Sequence, residues 1–435
     1  LSLHDALPIY YKRKYSLFWV LPFLFRPLQN SKKDLWMNTF EIADRVAGMN
    51  ESATLRMAQK ARELTAQGFD IINLSLGEPD FDTPQHIKDS AIAAIQAGIT
   101  KYTPVSGALD LRQSISEKFK RENSLNYSPS EIIVSNGAKQ SFANLCFALL
   151  QEGDEVVLLS PYWVSYFEII KLAGAKPIIV HAGVDQDFKP TAESILKAIN
   201  PKTRMMVFSS PSNPTGSVFS KAELESYCDV LRSYPNILVV SDEIYEYIIF
   251  DEIHTSIGSL KGMNERTATI NGFSKGFSMT GWRLGYMGAP KEVVDACVKI
   301  QGQFTSGAAS FTQKAGLTAL TTPLTPTYQM RDEFKARRDL LLTEIKTISN
   351  WKVNMPHGAF YILPEVDYYF GKRNQDHIIS NAEDLALFLL HEAKVAVVSG
   401  DAFGAPQCLR ISYSLSKEKI IEAIRRIKHA LDQLR

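Results

Sequence analysis

Three consecutive stretches decide the fold class of this chain: Glu131-Ile132-Ile133-Val134, then Ser135-Asn136-Gly137-Ala138-Lys139-Gln140-Ser141, and finally Glu155-Val156-Val157-Leu158-Leu159. The first is an apolar run without alternation, the pattern of a strand covered on both faces. Small residues then open a buried helix expected over 138–150, and a second unalternated run closes the unit. Met205-Met206-Val207-Phe208, Ile237-Leu238-Val239-Val240 and Ala268-Thr269-Ile270 repeat the theme. Strands alternating with helices over this length predict an α/β domain with a mostly parallel sheet. Towards the C-terminus the texture changes. Helices are expected over 328–348, 382–392 and 417–434, with short strands at Phe360-Tyr361-Ile362-Leu363 and Val395-Ala396-Val397-Val398. That pattern predicts a smaller α+β domain, joined by the N-terminal segment.

Composition narrows the function classes. The 435 residues carry 48 Lys plus Arg against 47 Asp plus Glu, so a net charge of +1 offers no global field for nucleic acid or an anionic membrane. At 45% hydrophobic and 22% charged, the chain is globular rather than disordered or fibrous. Cys146, Cys228, Cys297 and Cys408 are scattered and form no C-x-x-C pair. Neither a metal site nor a disulfide framework is expected, and a reducing cytoplasmic setting is. Residues 1–36 do not fit the rest. Lys12, Arg13 and Lys14 precede an apolar run over 17–25 that Pro22 interrupts. The run falls short of the roughly 20 residues that span a bilayer, and no small-x-small cleavage site follows. These residues read as an upstream extension outside the fold, with Met37 as the natural start; a signal peptide is the other reading.

Ligands of open α/β sheets bind beyond the carboxyl ends of the strands, so the residues that follow each run carry the chemistry. After Val134, small residues at a helix N-terminus make a phosphate seat or an ordinary tight turn. After Leu159 stands Trp163, able to stack on a flat ligand or simply to fill core. After Phe208, Ser212-Asn213-Pro214-Thr215-Gly216 is a strong turn that aims the Asn213 amide into a site or forms a plain loop. After Val240 come Asp242 and, three residues on, Tyr245; a carboxylate at a buried strand end needs a partner. After Ile270, Lys275 sits among small and apolar residues, where desolvation makes an amine a usable nucleophile. Arg283 follows, with the planar fork suited to phosphate. Each feature alone has a bland explanation. Together they supply what pyridoxal 5'-phosphate requires: an amine, an acid for the ring nitrogen, and phosphate donors.

With these motifs, Ser75-Leu76-Gly77-Glu78-Pro79-Asp80-Phe81, Lys101-Tyr102-Thr103-Pro104 and Trp282-Arg283-Leu284-Gly285-Tyr286, the chain resembles a class I aminotransferase of the pyridoxal-phosphate fold-type I superfamily. It is most like bacterial aspartate aminotransferases with a lysine in the substrate pocket. The resemblance covers essentially all of residues 37–435. It implies a large domain over 79–318, built on a mostly parallel seven-stranded sheet between helices. A small C-terminal domain would span 319–435, with 37–78 contributing to it.

The resemblance also implies roles. Lys275 would be the Schiff-base lysine and, when free, the general base. Asp242 would pair with the ring nitrogen, Asn213 and Tyr245 would hydrogen-bond the ring hydroxyl oxygen, and Trp163 would stack on the ring. Gly137, Ala138, Lys139 and Arg283 would hold the phosphate, and Tyr102 would reach it from the other subunit of a homodimer. Arg410 would grip the substrate α-carboxylate, with Gly77 beside it, and Lys139 would meet the distal carboxylate, assisted by Thr54 and residues around Ser306. Many relatives carry a serine where this chain has Gly272, which shifts the phosphate towards Arg283 and Tyr102. The expected reaction is ping-pong amino transfer from aspartate to 2-oxoglutarate. Aromatic amino acids, alanine, prephenate or a β-lyase reaction on the same fold are the alternatives. A non-enzymatic effector-binding domain would need a helix-turn-helix module upstream, for which residues 1–36 are too short and too apolar.

Overall fold

In the computed structural model, which describes residues 40–375 and 377–435, the unalternated runs become strands of one sheet, four of them inner and the first, Ile132–Ser135, at its edge. The reading of residues 1–36 as an extension lies outside the described residues. Strand β1 (Ile72–Asn73) comes first and is followed by β2 (Ile132–Ser135), β3 (Glu155–Ser160), β4 (Lys176–His181), β5 (Thr203–Ser209), β6 (Leu238–Asp242), β7 (Thr267–Gly272) and β8 (Gly285–Gly288). Strands β2 to β8 form a seven-stranded sheet in the order β2-β8-β7-β6-β5-β3-β4. Every neighbour pair from β4 to β7 is parallel, and β8 alone runs antiparallel to both of its neighbours.

Two strands of the seven-stranded sheet escape the sequence reading, as does the short β1 outside it. Strand β4 begins Lys-Pro and keeps only Val180 fully buried, as an edge strand does. Strand β8 is Gly-Tyr-Met-Gly and is indistinguishable in sequence from the glycine-rich loop before it. Its first glycine is required by contact. Gly285 pairs with both Ser135 and Gly272, and a Cβ there would run into the backbone of Gly137 and Ala138.

Val157, Leu158, Val207, Val240, Ile270 and Met287 are buried in the sheet's two faces. Each such side chain contributes roughly 1.5–3 kcal/mol when removed from water. The helix Ala138–Leu149 covers one face, and the cluster of Phe208, Phe219, Leu224 and Tyr227 fills the other.

The C-terminal part has its own core. Strand β9 (Tyr361–Ile362) precedes a hairpin of β10 (Arg373–Asn374) and β11 (His377–Ile378), then β12 (Val395–Ala396), β13 (Val398–Ser399) and β14 (Leu409–Ser412). Strands β13, β14 and β9 form an antiparallel sheet, while β12 pairs in parallel with β1. The single strand expected over 395–398 is thus two, divided at Val397 between two sheets. The helix expected over 382–392 is α-helical over Ala382–Phe388 and continues as a π turn over Leu389–Ala393. The helix Thr325–Ile345 and the helix Lys417–Leu431 close this core. The latter buries Ile420, Ala423, Ile424, Ile427 and Leu431, the three-and-four spacing of an amphipathic helix. No described helix is long and apolar enough to cross a membrane.

Candidate active site

The carboxyl ends of β3, β5, β6 and β7 open into a cavity of about 400 Å³. Gly77, Ala138, Lys139, Trp163, Asn213, Asp242, Tyr245, Lys275, Arg283 and Arg410 all line it. Parallel pairing explains most of the convergence. Ser209 is in register with Asp242 and Asp242 with Ile270, so the loops that follow these strands leave the sheet side by side. The reversed β8 explains the rest: its first residue, not its last, lies at this edge, which brings the preceding Arg283 to the same place.

Lys275 is at the centre. Its ammonium donates to the carbonyl oxygen of Gly77 and lies 5.8 Å from the ring centres of Tyr245 and Phe360. Burial pulls its pKa down to about 8; the Glu78 carboxylate opposes that shift, and Arg410 and Arg283 add to it. A usable minority of the amine is therefore uncharged near neutral pH, as a nucleophile must be, and most of it is above about 8.

Asp242 ends β6 and is buried. Its Oδ1 accepts the Ile244 N–H at 3.1 Å and its Oδ2 accepts the Tyr166 hydroxyl at 2.5 Å. Burial pushes its pKa up to about 6, against the lowering pull of those two donors. Among the described residues no lysine, arginine or histidine forms an ion pair with it. A buried carboxylate that faces the cavity with no ion-pair partner of its own is what a protonated ring nitrogen would complete. The next residue, Glu243, turns the opposite way, to His254 at 2.8 Å and Ser256 at 2.6 Å.

The phosphate end is equally specific. Gly137 caps the helix Ala138–Leu149 at a φ of +86° and leaves the first N–H groups of that helix without a side-chain cap. A Cβ at Gly137 would overlap the Arg283 guanidinium. Arg283 itself adopts a φ of +53°, rare for a side-chain residue, and donates to the Thr280 carbonyl at 2.9 Å. No carboxylate among the described residues neutralises it. A cradle of free N–H groups closed by an unpaired guanidinium fits a phosphate. Gly272 takes no side chain: a Cβ would sit 2.9 Å from Gly285 Cα and 3.1 Å from Ile244 Cδ1. A serine at this position would have no room beside β8 unless its neighbours shifted.

Arg410, in β14, is 2% exposed. Its Nη2 donates to the Ser75 carbonyl at 2.6 Å and its Nη1 to Asn213 Oδ1 at 3.2 Å, while its Nε has no partner. The Lys139 ammonium stands 5.0 Å over the Trp163 ring, with its pKa lowered by burial and by Arg283. Thr54 lines the cavity and Ser306 does not. Tyr102 is 97% exposed and is not among the lining residues.

Several lining residues were not anticipated. Tyr361 places its hydroxyl 2.8 Å from that of Tyr245, and its ring faces the Arg410 guanidinium at 4.7 Å. Glu78 accepts a hydrogen bond from Thr280 and sits close enough to bias Lys275. Leu55 and Leu76 add an exposed apolar wall. The only signal for Tyr361 was its place in an apolar run, which reads as core.

Comparison with known proteins agrees with this geometry. The family model described as aminotransferase class I and II matches residues 70–427. A bifunctional aspartate aminotransferase and glutamate/aspartate-prephenate aminotransferase of Petunia hybrida is 45% identical over 397 residues, 90% of this chain and 82% of that protein. Among solved structures, an aspartate aminotransferase from Rhizobium meliloti superposes with a TM-score of 0.88 at 38% identity, covering 91% of this chain and 100% of the other. An aspartate aminotransferase from Thermus thermophilus with maleate gives 0.84 at 39% identity, over 90% and 99% of the two chains.

Proposed function

The chain belongs to the aminotransferase class I and II family, fold type I and dependent on pyridoxal 5'-phosphate, and from that premise we propose that it moves the amino group of aspartate to 2-oxoglutarate by a ping-pong mechanism. The observation that carries this reading is one cavity holding a buried amine, Lys275, between an unpaired acid, Asp242, and a buried arginine, Arg410. Bound in that cavity, pyridoxal phosphate supplies an aldehyde for amines and a ring that draws electrons from the carbon next to nitrogen.

The chain's own residues do the rest. With the cofactor bound, Lys275 would hold it through Nζ, and once freed by the amino acid that Nζ would be the base that accepts the proton from substrate Cα. Its lowered pKa leaves a lone pair available for that step near neutral pH. Asp242, ionised, keeps a proton on the ring nitrogen, and the electron-withdrawing power of the ring depends on that proton. Trp163 would stack on the ring, Asn213 and Tyr245 would hydrogen-bond the ring hydroxyl oxygen, and Gly137, Ala138, Lys139 and Arg283 would hold the phosphate. Arg410 binds the α-carboxylate, with the Gly77 backbone beside it. The Nε of Arg410 that lacks a partner is a donor held in reserve for a carboxylate oxygen.

Lys139 favours a second carboxylate at the far end of the substrate. The Thermus thermophilus relative with maleate supports this, since maleate is a four-carbon dicarboxylate. Leu55 and Leu76 favour a second reading beside it: a bulky dicarboxylate such as prephenate, a substrate named for the Petunia relative. The exposed Tyr102, together with Ile92, Ile95 and Phe304, supports a homodimer in which Tyr102 completes the neighbouring site. Residues 79–318 and 319–435 act as the large and small domains, with 37–78 joined to the small one, and the enzyme works in the cytoplasm.

One spectrum tests the reading. The cofactor-loaded protein should absorb in the visible, lose that band on addition of aspartate, and regain it with 2-oxoglutarate. A band unchanged by aspartate and by glutamate rules out the dicarboxylate donor.

A further inference from the structure

Tyr166 is buried in the helix Val164–Leu172, which begins directly after Trp163. Its ring meets Trp163 edge-on, with centres 5.3 Å apart at 87°, and Phe142 at 4.9 Å. Its hydroxyl donates to Asp242 Oδ2 at 2.5 Å, and Ser209 hydrogen-bonds it from the end of β5. Burial and the neighbouring Asp242 hold the phenol well above its ordinary pKa, so it donates and does not ionise. With Oδ1 already on the Ile244 N–H, the Tyr166 bond removes the last rotational freedom of the carboxylate.

We propose that Tyr166 is a positioning residue for the cofactor ring, locking the Asp242 carboxylate in orientation and in its ionised form while bracing Trp163. The proposal rests on Asp242 facing the ring nitrogen. Asp242 is desolvated and has the Glu243 carboxylate as its chain neighbour, and both disfavour its charge. Lys275, from the loop after β7, favours the charge, but its amine leaves that role when it binds the cofactor. Tyr245, three residues on, has its own hydroxyl engaged with Tyr361. Among the described residues, Tyr166 is the side chain that hydrogen-bonds the Asp242 carboxylate. A donor to a charged acceptor in a dry site is among the stronger hydrogen bonds a protein makes.

The experiment is cofactor retention of the loaded enzyme across pH, read by dialysis and absorbance, in wild type and in Tyr166→Phe. That substitution keeps the ring packing and removes only the donor. Loss of the donor makes Asp242 easier to protonate. The pH below which cofactor dissociates should therefore move up, and dissociation at neutral pH should accelerate about tenfold. Site-specific 3-fluorotyrosine at position 166, a more acidic phenol and stronger donor, should move the same limb down. In an Asp242→Asn background, Tyr166→Phe should add little. If Asp242→Asn releases cofactor but both Tyr166 variants retain it with the wild-type pH profile, the proposal is overturned. If Asp242→Asn itself leaves retention unchanged, the assignment of Asp242 to the ring nitrogen fails instead, and the proposal with it.

Discussion

The guanidinium of Arg410 donates through Nη1 to the side-chain oxygen of Asn213 at 3.2 Å, which ties β14 of the C-terminal core to the turn that follows β5. The bond fixes the Asn213 amide with its oxygen towards Arg410 and its nitrogen free to donate elsewhere. It also means that the residue proposed to hold the substrate carboxylate and a residue proposed to hold the ring share one rigid contact. The rings of Tyr361 and Phe403 flank the same guanidinium at 4.7 and 4.9 Å, so its plane has little freedom.

Arg410→Lys keeps the charge and discards the planar fork. A single ammonium cannot serve Ser75, Asn213 and a carboxylate at once. The expected loss in kcat/KM for aspartate is about 10²- to 10³-fold, carried mostly by KM, and steady-state kinetics with varied aspartate measures it. The unpaired Ser75 carbonyl should also cost about 1–3 kcal/mol of stability, visible as a lower thermal midpoint.

Lys275→Ala removes the nucleophile and the base together. The protein should still bind the cofactor through the phosphate cradle, but with the absorbance of the free aldehyde, and turnover should fall by about 10⁴-fold or more. Transamination at a near wild-type rate in this variant would refute the assignment of Lys275.

The pKa of about 8 at Lys275 sets a pH dependence whose sign follows from its cause. Burial penalises the ammonium, so the reactive amine dominates above about 8 rather than above the ordinary lysine value. Covalent capture of pyridoxal phosphate by the cofactor-free protein should quicken with rising pH and level off above about 8, followed by the growth of the visible band. A rate still climbing at pH 10 would mean an exposed amine.

Gly137 is a position where the backbone leaves no choice. An alanine there must adopt a φ of +86° and place its Cβ against Arg283. Gly137→Ala should weaken cofactor affinity by about tenfold or more and lower stability by about 1–3 kcal/mol. Gly281→Ala is the control, because nothing lies within 4 Å of its Cβ position and its φ is ordinary. Its effect should stay within about 0.5 kcal/mol, so equal losses at the two glycines would remove the cradle argument.

How much of this was legible in the sequence depends on chain geometry. Asn213, Asp242 and Lys275 each follow an unalternated apolar run within a few residues, and parallel strands deliver their ends to one edge. Arg283 was legible as chemistry but not as placement, since it reaches the site only because β8 runs backwards, and two glycines hide β8 as a strand. Tyr166 and Tyr361 were not legible. Each is an aromatic in an apolar run, and its functional partner lies 76 and 116 residues away, a distance no periodicity spans. Arg410 showed a charge inside Cys408-Leu409-Arg410-Ile411, yet only the family resemblance said what that charge was for.

Tyr102 turns the proposed homodimer into a test of its own. Its side chain is 97% exposed and contributes nothing to the cavity of its own protomer. If it serves the neighbouring site, the defect of Tyr102→Ala and that of Lys275→Ala fall in different chains of a mixed dimer. One of the two sites then carries both lesions and the other carries neither. Each variant alone should be impaired, Lys275→Ala in turnover and Tyr102→Ala in affinity for limiting cofactor, the latter by about tenfold for one lost phosphate contact. Denaturing and refolding an equal mixture should produce a species with wild-type cofactor affinity at half of its sites. Activity assayed at limiting cofactor should then exceed that of either parent. A mixture that shows only the average of its parents would place Tyr102 within its own subunit's chemistry or outside it altogether, and the shared site would be rejected.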